Sequence, residues 1–402
     1  MAEFPLKDIK VLDLSRVLAG PWASQTLADL GAEVIKIERP GVGDDTRAWG
    51  PPWFDVQEGE ALSAYFMSAN RGKKSVCIDL ASSEGLAIVK QLADESDIVI
   101  ENFKVGDMEK KGLDYQSLSE TNARLIYCSI TGFGQTGPYK QRPGYDFMIQ
   151  GIAGLMSITG EPDEKSTDGP QKVGVAVADL MTGLYSTIAI LAAIAERSKS
   201  GEGQYIDMAL MDVLTASLAN QASNYLISGN APGRMGNAHP NVVPYQTFAA
   251  SDGHIIVAVG NDKQFNALCG TINRLDIAAN LKYLTNADRI ENRAELAEDI
   301  QREVQTRTMS HWLEIFEQAG VPCGPINTID KVFDDPQTKA REMQISIADM
   351  PLVANPMRFS KSNLNYELEP PSLGQHTDEV LVDKLAMSVD ELSALRSKGV
   401  LG

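Results

Sequence analysis

Asp179, in the segment KVGVAVADLMTGLYS, is the residue of this 402-residue chain best placed for covalent chemistry. It opens an apolar helical pattern running from Asp179 to Arg197. At such a start the free backbone N–H groups and the positive end of the helix dipole favour an ionised carboxylate. A fixed, ionised carboxylate is a usable nucleophile. Aspartate is equally a preferred helix cap, and position alone does not separate the two roles. A carboxylate nucleophile would build negative charge on the group it attacks, and that charge needs hydrogen-bond donors. Gly260 and Asn261 offer backbone N–H groups and Gln264 a side-chain amide, although the same loop also reads as a strand-to-helix turn.

Other chemistries lack their residues. Cys77, Cys128, Cys269 and Cys323 lie far apart without a CxxC pair, and no two of the four histidines have metal-ligand spacing, so no metal is expected. The turn SRVLAGPW has no GxGxxG, and PGVGDD does not open a helix, which argues against NAD or FAD. With 36 basic and 54 acidic side chains the formal charge is −18, which disfavours a nucleic-acid surface. Against that background, Arg39, Arg71, Lys73, Lys74, Lys104, Lys110, Lys111 and Arg142 follow predicted strands, where open α/β sheets bind ligands and where a phosphate-bearing molecule needs cations. About half of them read as solvated surface charges.

The elements that must position these residues follow from periodicity. IKVLDL, WASQTLADLG and EVIKIE, then GLAIVKQLADES, DIVIEN and RLIYCSI, alternate strand and helix patterns, the signature of βαβ units around a parallel sheet. The expected fold class is α/β, with a large Rossmann-like domain over 1–228 completed by the tail 326–402, and a smaller α+β domain over 229–325. The helix opened by Asp179 is apolar on nearly every face and is expected to be buried between layers. A second long helical pattern covers Asp212 to Ser228. YQTFAA and HIIVAVG, joined by SDG, read as a hairpin. The tail ends in a helix with a capping box, Ser388 and Glu391, stopping at Gly399. The N-terminus has no signal-peptide pattern, and the apolar stretch Ile188 to Ala195 is too short to span a bilayer; a cytoplasmic location is expected.

Eleven segments, in order, resemble one family: LSRVLAGPWASQTLADLGAEVIKIERPGVGDDTR, NRGKKSV, IENF, SITGFGQTGPY, RPGYD, GVAVADLMTGLY, GNAHP, PYQTF, VGNDKQF, GVPCGPIN and LGQHTDEVL. Together they are similar to the class III CoA-transferases, the CaiB/BaiF group that includes formyl-CoA transferase. The resemblance implies that Asp179 is the nucleophile, forming first a mixed anhydride and then a thioester with CoA. It implies two subunits threaded through each other as an interlocked homodimer. It also implies CoA contacts at Arg16, Val17, Leu18, Arg39, Asn70, Lys73, Asn102, Phe103 and Lys110. No permanently bound cofactor is expected, because CoA and acyl-CoA are substrates.

Tyr145 separates branches of that superfamily, whose racemases carry a histidine there as a proton-transfer base. A phenol titrating near ~10 is a poor base at neutral pH, which disfavours a racemase or isomerase. Within the family the segments look most like the branch acting on succinate and hydroxymethylglutarate, so a C4 to C6 dicarboxylate is the expected substrate class. Formyl-CoA:oxalate and carnitine-type transfer are the alternatives. A second carboxylate would need a cation, for which Arg47, Arg142 and Arg234 are candidates, with His239 as an acceptor contact.

Overall fold

A computed structural model describes residues 3–57 and 60–402. Six parallel strands form the main sheet: β1 (Lys10–Asp13), β2 (Glu33–Glu38), β3 (Lys73–Cys77), β4 (Ile98–Glu101), β5 (Ile126–Thr131) and β6 (Tyr205–Ala209). Their spatial order is β3-β2-β1-β4-β5-β6, the doubly wound order whose direction of growth reverses between β1 and β4.

Strand residues alternate between two cores, as a pleat of period two requires. Val11, Ile98, Ile100, Ile126 and Cys128 pack on one face, with α1 (Ala19–Asp29) and α4 (Val177–Ser200). Leu12, Val99 and Tyr127 pack on the other, with α2 (Ser83–Asp94) and residues of the tail. Covering both faces explains why strands such as IVIE are buried at every position. The tail completes the second core through Val380, Leu392 and Val400, and Leu401 bridges Ile78 beside the β3 edge. Its last helix, Val389–Ser397, carries the expected capping box.

Helices α1 and α4 touch closely because residue 183 is glycine. A Cβ there would lie 2.7 Å from the Ala19 carbonyl oxygen and 3.0 Å from Trp22. By length and composition alone α4 could cross a membrane, and so exceeds the apolar run that the sequence suggested. Nor is it wrapped on all sides, since Leu184, Tyr185 and Ile188 are exposed, the last at 60%. Its apolar character serves a buried stripe and an uncovered one.

The chain divides into two compact units, one of residues up to Leu155 with Val173–Ser223 and Gln337–Gly402, the other of Met156–Lys172 and Asn224–Pro336. The second unit therefore takes the segment 156–172 as well as the region expected from sequence. It holds a three-stranded antiparallel sheet of β7 (Tyr245–Ala250), β8 (Gly253–Ala258) and β9 (Cys323–Pro325), packed with helices through Phe248, Phe265 and Phe316. The expected helix over 212–228 is two helices, α5 (Leu210–Ser217) and α6 (Ala219–Ser228), broken where Ala219 takes φ +46°.

Candidate active site

At the C-terminal ends of β1, β4 and β5 a cleft of about 330 Å³ opens in the first unit, beside the point where strand order reverses. Arg16, Val17 and Leu18 after β1 line it, as do Asn102 and Phe103 after β4, Arg142 and Tyr145, and Asp179 near the start of α4. Seven residues distant in sequence are thus brought together with the expected nucleophile.

The turn after β1 is held at nearly every peptide group. Ser15 N–H donates to Asp13 (2.9 Å), and the Ser15 carbonyl accepts from Lys36 Nζ (2.8 Å). Asn102 closes a two-way bridge, accepting from Arg16 N–H (2.9 Å) and donating to the Arg16 carbonyl (2.6 Å). The Arg16 guanidinium pairs with Asp45 and lies over the Phe103 ring. Val17 has φ +71°, a left-handed conformation costing a β-branched residue on the order of 1–3 kcal/mol. Its N–H donates to both oxygens of Asp44, at 3.2 and 3.3 Å.

A second crossing fixes Tyr145. Gly132, after β5, and Gly144, before Tyr145, meet backbone to backbone: a Cβ on Gly144 would lie 2.1 Å from the Gly132 Cα. Only glycine permits this approach, and the crossing delivers Tyr145 to the cleft at 67% exposure. Next to it Asp146 begins α3 (Asp146–Ile152). Asp146 Oδ1 accepts from Ala178 N–H (2.8 Å), tying α3 to the first turn of α4, and Oδ2 accepts from Gln150.

Asp179 occupies the first turn of α4 but does not act as its cap. The expectation that helix N–H groups keep it ionised is corrected here. Burial first, then the negative charge of Asp146, push its carboxyl up to about 7. Among the described residues no donor is recorded on its oxygens. Charge that has lost water and gained no hydrogen bond is destabilised, which favours attack on an electrophile. Tyr65 shares this environment: burial and then the charges of Asp179, Asp146 and Asp44 raise its phenol.

Several expected ligand contacts lie elsewhere. Asn70 and Lys73 are 0% exposed. Lys73 Nζ donates to Asn70 (2.8 Å) and the Pro21 carbonyl (3.0 Å) and lies 3.3 Å from Asp13, while Asn70 donates to the Phe66 carbonyl. These two support the turn from beneath and do not line the cleft. Arg39 is exposed outside the cleft lining, and Lys110 is exposed and paired with Asp107. Arg47 is a partly buried partner of Glu38, stacked 3.7 Å over Phe66. Arg142 alone of the three candidate arginines lines the cleft, its guanidinium 3.9 Å over the Tyr139 ring.

The remaining candidates belong to the second unit. Arg234 pairs with Asp163 there, and His239 Nδ1 accepts from Asn241 N–H. Gly260 N–H donates to Gln264 Oε1 (2.8 Å), and Asn261 caps the helix Asp262–Thr271 by accepting from Gln264 N–H. The proposed oxyanion donor is thus satisfied internally, and Gln264 must turn away before that N–H can serve a ligand.

Sequence reasoning missed Asp146, Tyr65, Asp44 and Lys36. Asp146 closes the segment RPGYD, so its membership of that motif was the available signal. The others act through contacts between separate strands and loops.

A family model for CoA-transferase family III matches residues 6–377. The chain is 50% identical over 385 residues to the succinate–glutarate CoA-transferase of Agrobacterium fabrum, covering 94% of this chain and 95% of that protein. It is 42% identical over 402 residues to the human succinyl-CoA:glutarate CoA-transferase, covering 99% of this chain and 90% of that one. A crystal structure of a CaiB/BaiF family protein from Brucella suis superposes with a TM-score of 0.86 at 50% identity, covering 96% of this chain and all of that one. The chain belongs to CoA-transferase family III.

Proposed function

We propose that this transferase moves CoA from a dicarboxylic acyl-CoA such as succinyl-CoA to a second dicarboxylate of C4 to C6 length, glutarate being the leading acceptor. The observation that carries the reading is Asp179, a carboxylate without a recorded donor, lining a cleft with Arg16 and Arg142. The names of the similar proteins from Agrobacterium fabrum and human support the acids.

The ionised Asp179 oxygen attacks the donor thioester carbonyl, the C–S bond breaks and CoA thiolate leaves, giving an aspartyl mixed anhydride. Thiolate then attacks the Asp179 carbonyl carbon, the C–O bond breaks, and the donor acid departs as carboxylate. The acceptor carboxylate attacks the aspartyl-CoA thioester, expelling thiolate. Attack of that thiolate on the acceptor acyl carbon releases the new acyl-CoA and restores Asp179. No proton is gained or lost overall, and each intermediate keeps the energy of an activated acyl group.

Arg142 holds the distal carboxylate in this reading, because Arg47 and Arg234 are already paired. Tyr145 lines the cleft where the racemases carry a histidine base, which favours transfer over α-proton exchange. The active form is an interlocked homodimer in the cytoplasm, and the exposed apolar residues Tyr185 and Ile188 of α4 support a covering second copy.

Purified protein given succinyl-CoA and glutarate is expected to form glutaryl-CoA. Transfer to no dicarboxylate tested would refute the substrate assignment, and exchange of the acyl α-proton would favour a racemase. Arg142→Ala is expected to raise KM for glutarate ~10–100-fold while changing use of a monocarboxylate little.

A further inference from the structure

The strained turn that walls the cleft sits on a layer of buried charge that the transfer chemistry does not use. Lys36 and Asp44 form an ion pair at 2.9 Å with side chains 1% and 0% exposed. Each reaches the turn from a different place: Lys36 from the middle of β2 to the Ser15 carbonyl, Asp44 from the loop after β2 to the Val17 N–H. Asp44 is itself fixed, accepting from Thr46 N–H (3.0 Å) and Thr46 Oγ1 (2.8 Å), while its own N–H donates to Glu38 Oε2 (2.9 Å). Glu38 in turn is clamped by Arg47 and Ser75.

We propose that Lys36 and Asp44 are positioning residues for acyl-CoA binding: the pair turns the Ser15 carbonyl and the Val17 N–H inward, imposes the left-handed backbone at Val17, and so sets the cleft wall. The inference rests on the cleft of the first unit being the acyl-CoA site. Three observations converge on it. Val17 is a β-branched residue held where a free chain would not place it, and such a conformation persists only where its surroundings over-determine it. Its N–H is tied to Asp44 while Val17 itself lines the cleft. Arg16 is steered by the same turn, its peptide being bridged by Asn102 and its guanidinium held by Asp45 beside Asp44. A burial role alone would require neither the strain nor acceptors aimed at the turn.

The test compares two double variants that both remove the buried ion pair without leaving a lone charge. Lys36→Met with Asp44→Asn keeps an amide oxygen for the Val17 N–H; Lys36→Met with Asp44→Ala removes it. Binding of free CoA is measured by calorimetry and steady-state kinetics with acyl-CoA, with thermal unfolding recorded for each variant. The alanine variant is expected to bind CoA at least 10-fold more weakly than the asparagine variant, with KM raised by a similar factor and kcat changed less than 3-fold. Equal affinities in the two variants would overturn the proposal, whether both match the wild type or both fall.

Amide hydrogen exchange on the unmodified protein gives a check independent of any variant. The Val17 N–H is expected to exchange at least ~100-fold more slowly than a free peptide without CoA present; exchange at the free-peptide rate would overturn the proposal. Failure of wild-type protein to bind CoA would instead refute the assignment of the cleft.

Discussion

Asp44, which is buried, and Asp179, partly buried in the cleft, are acids of the same unit that titrate in opposite directions. Burial alone would raise each. At Asp44 the Lys36 ammonium and the Thr46 donors outweigh burial and bring the carboxyl down to about 2. At Asp179 nothing opposes burial, the neighbouring Asp146 adds to it, and the carboxyl rises to about 7. The first carboxylate is spent on holding backbone and the second is kept unsatisfied. The Lys36 charge first, and hydrogen-bond donors after it, separate Asp44 from the expected nucleophile Asp179.

The comparison breaks most sharply at the reactive acid. Asp179→Ala is expected to lower kcat by ~10⁴-fold or more while CoA still binds, since a covalent nucleophile has no substitute in the transfer sequence. Mass spectrometry after hydroxylamine treatment under turnover should find a hydroxamate on Asp179 in the wild type only. Full activity in the alanine variant would end the covalent reading.

At the structural acid the effect moves from rate to stability. Asp44→Ala takes from the Lys36 ammonium its nearest counter-charge in a site 1% exposed, leaving it the Ser15 carbonyl and the charges of Asp13 and Glu38. The loss is therefore expected at or below the cost of a fully broken buried pair, about 3–5 kcal/mol. Urea unfolding at pH 7 measures this. A loss below about 1 kcal/mol would mean that Asp13, Glu38 or water satisfies Lys36 without Asp44, and that the contrast with Asp179 is overdrawn.

The broad fold was legible because its signals are local. Alternating strand and helix patterns marked the βαβ units, and Ser388 with Glu391 marked the final helix. The transition at Ala219, with φ +46°, has no marker in its residue type, so two helices read as one. Asp179 was legible as the expected nucleophile through eleven ordered segments, whereas the upward push on its carboxyl was not. That push comes from burial first and then from Asp146, which lies 33 residues away in sequence and is brought near through the Asp146–Ala178 contact. Lys73 misled for the converse reason. A lysine opening a strand looks like a phosphate ligand until the fold points it at Asp13. Basic residues beside strands state that charge is present, and only packing states whether it is already used.

Stability sharpens the comparison at the next scale. A carboxyl raised to about 7 in the folded chain from an ordinary 3.8 binds its proton more tightly when folded, so its contribution is fully present below pH 4 and is lost as pH rises through 7. Asp44 has the opposite sign: its folded value near 2 contributes stability above pH 4 and loses it as pH falls. Asp179→Asn should therefore stabilise the protein at pH 8 by roughly 1–3 kcal/mol and leave it almost unchanged at pH 3. Urea midpoints at the two pH values provide the check, and a variant less stable than wild type at pH 8 would contradict the assignment.

The smallest expected effect isolates what one neighbour contributes. Asp146→Asn keeps an oxygen for the Ala178 N–H and removes the charge beside Asp179. Because burial is the larger cause of the raised value, Asp179 should still titrate above an ordinary carboxyl, but lower than in the wild type. The acidic limb of kcat/KM against pH, whose midpoint is expected near 7, should move to lower pH, with less than about tenfold change in rate at pH 8. That movement is the informative readout, since a purely structural role for Asp146 would lower the whole profile without displacing its midpoint. An unmoved midpoint would leave burial as the sole cause of the raised Asp179 value. The difference between Asp179 and Asp44 would then lie in the Lys36 charge and the donors that Asp44 has and Asp179 lacks.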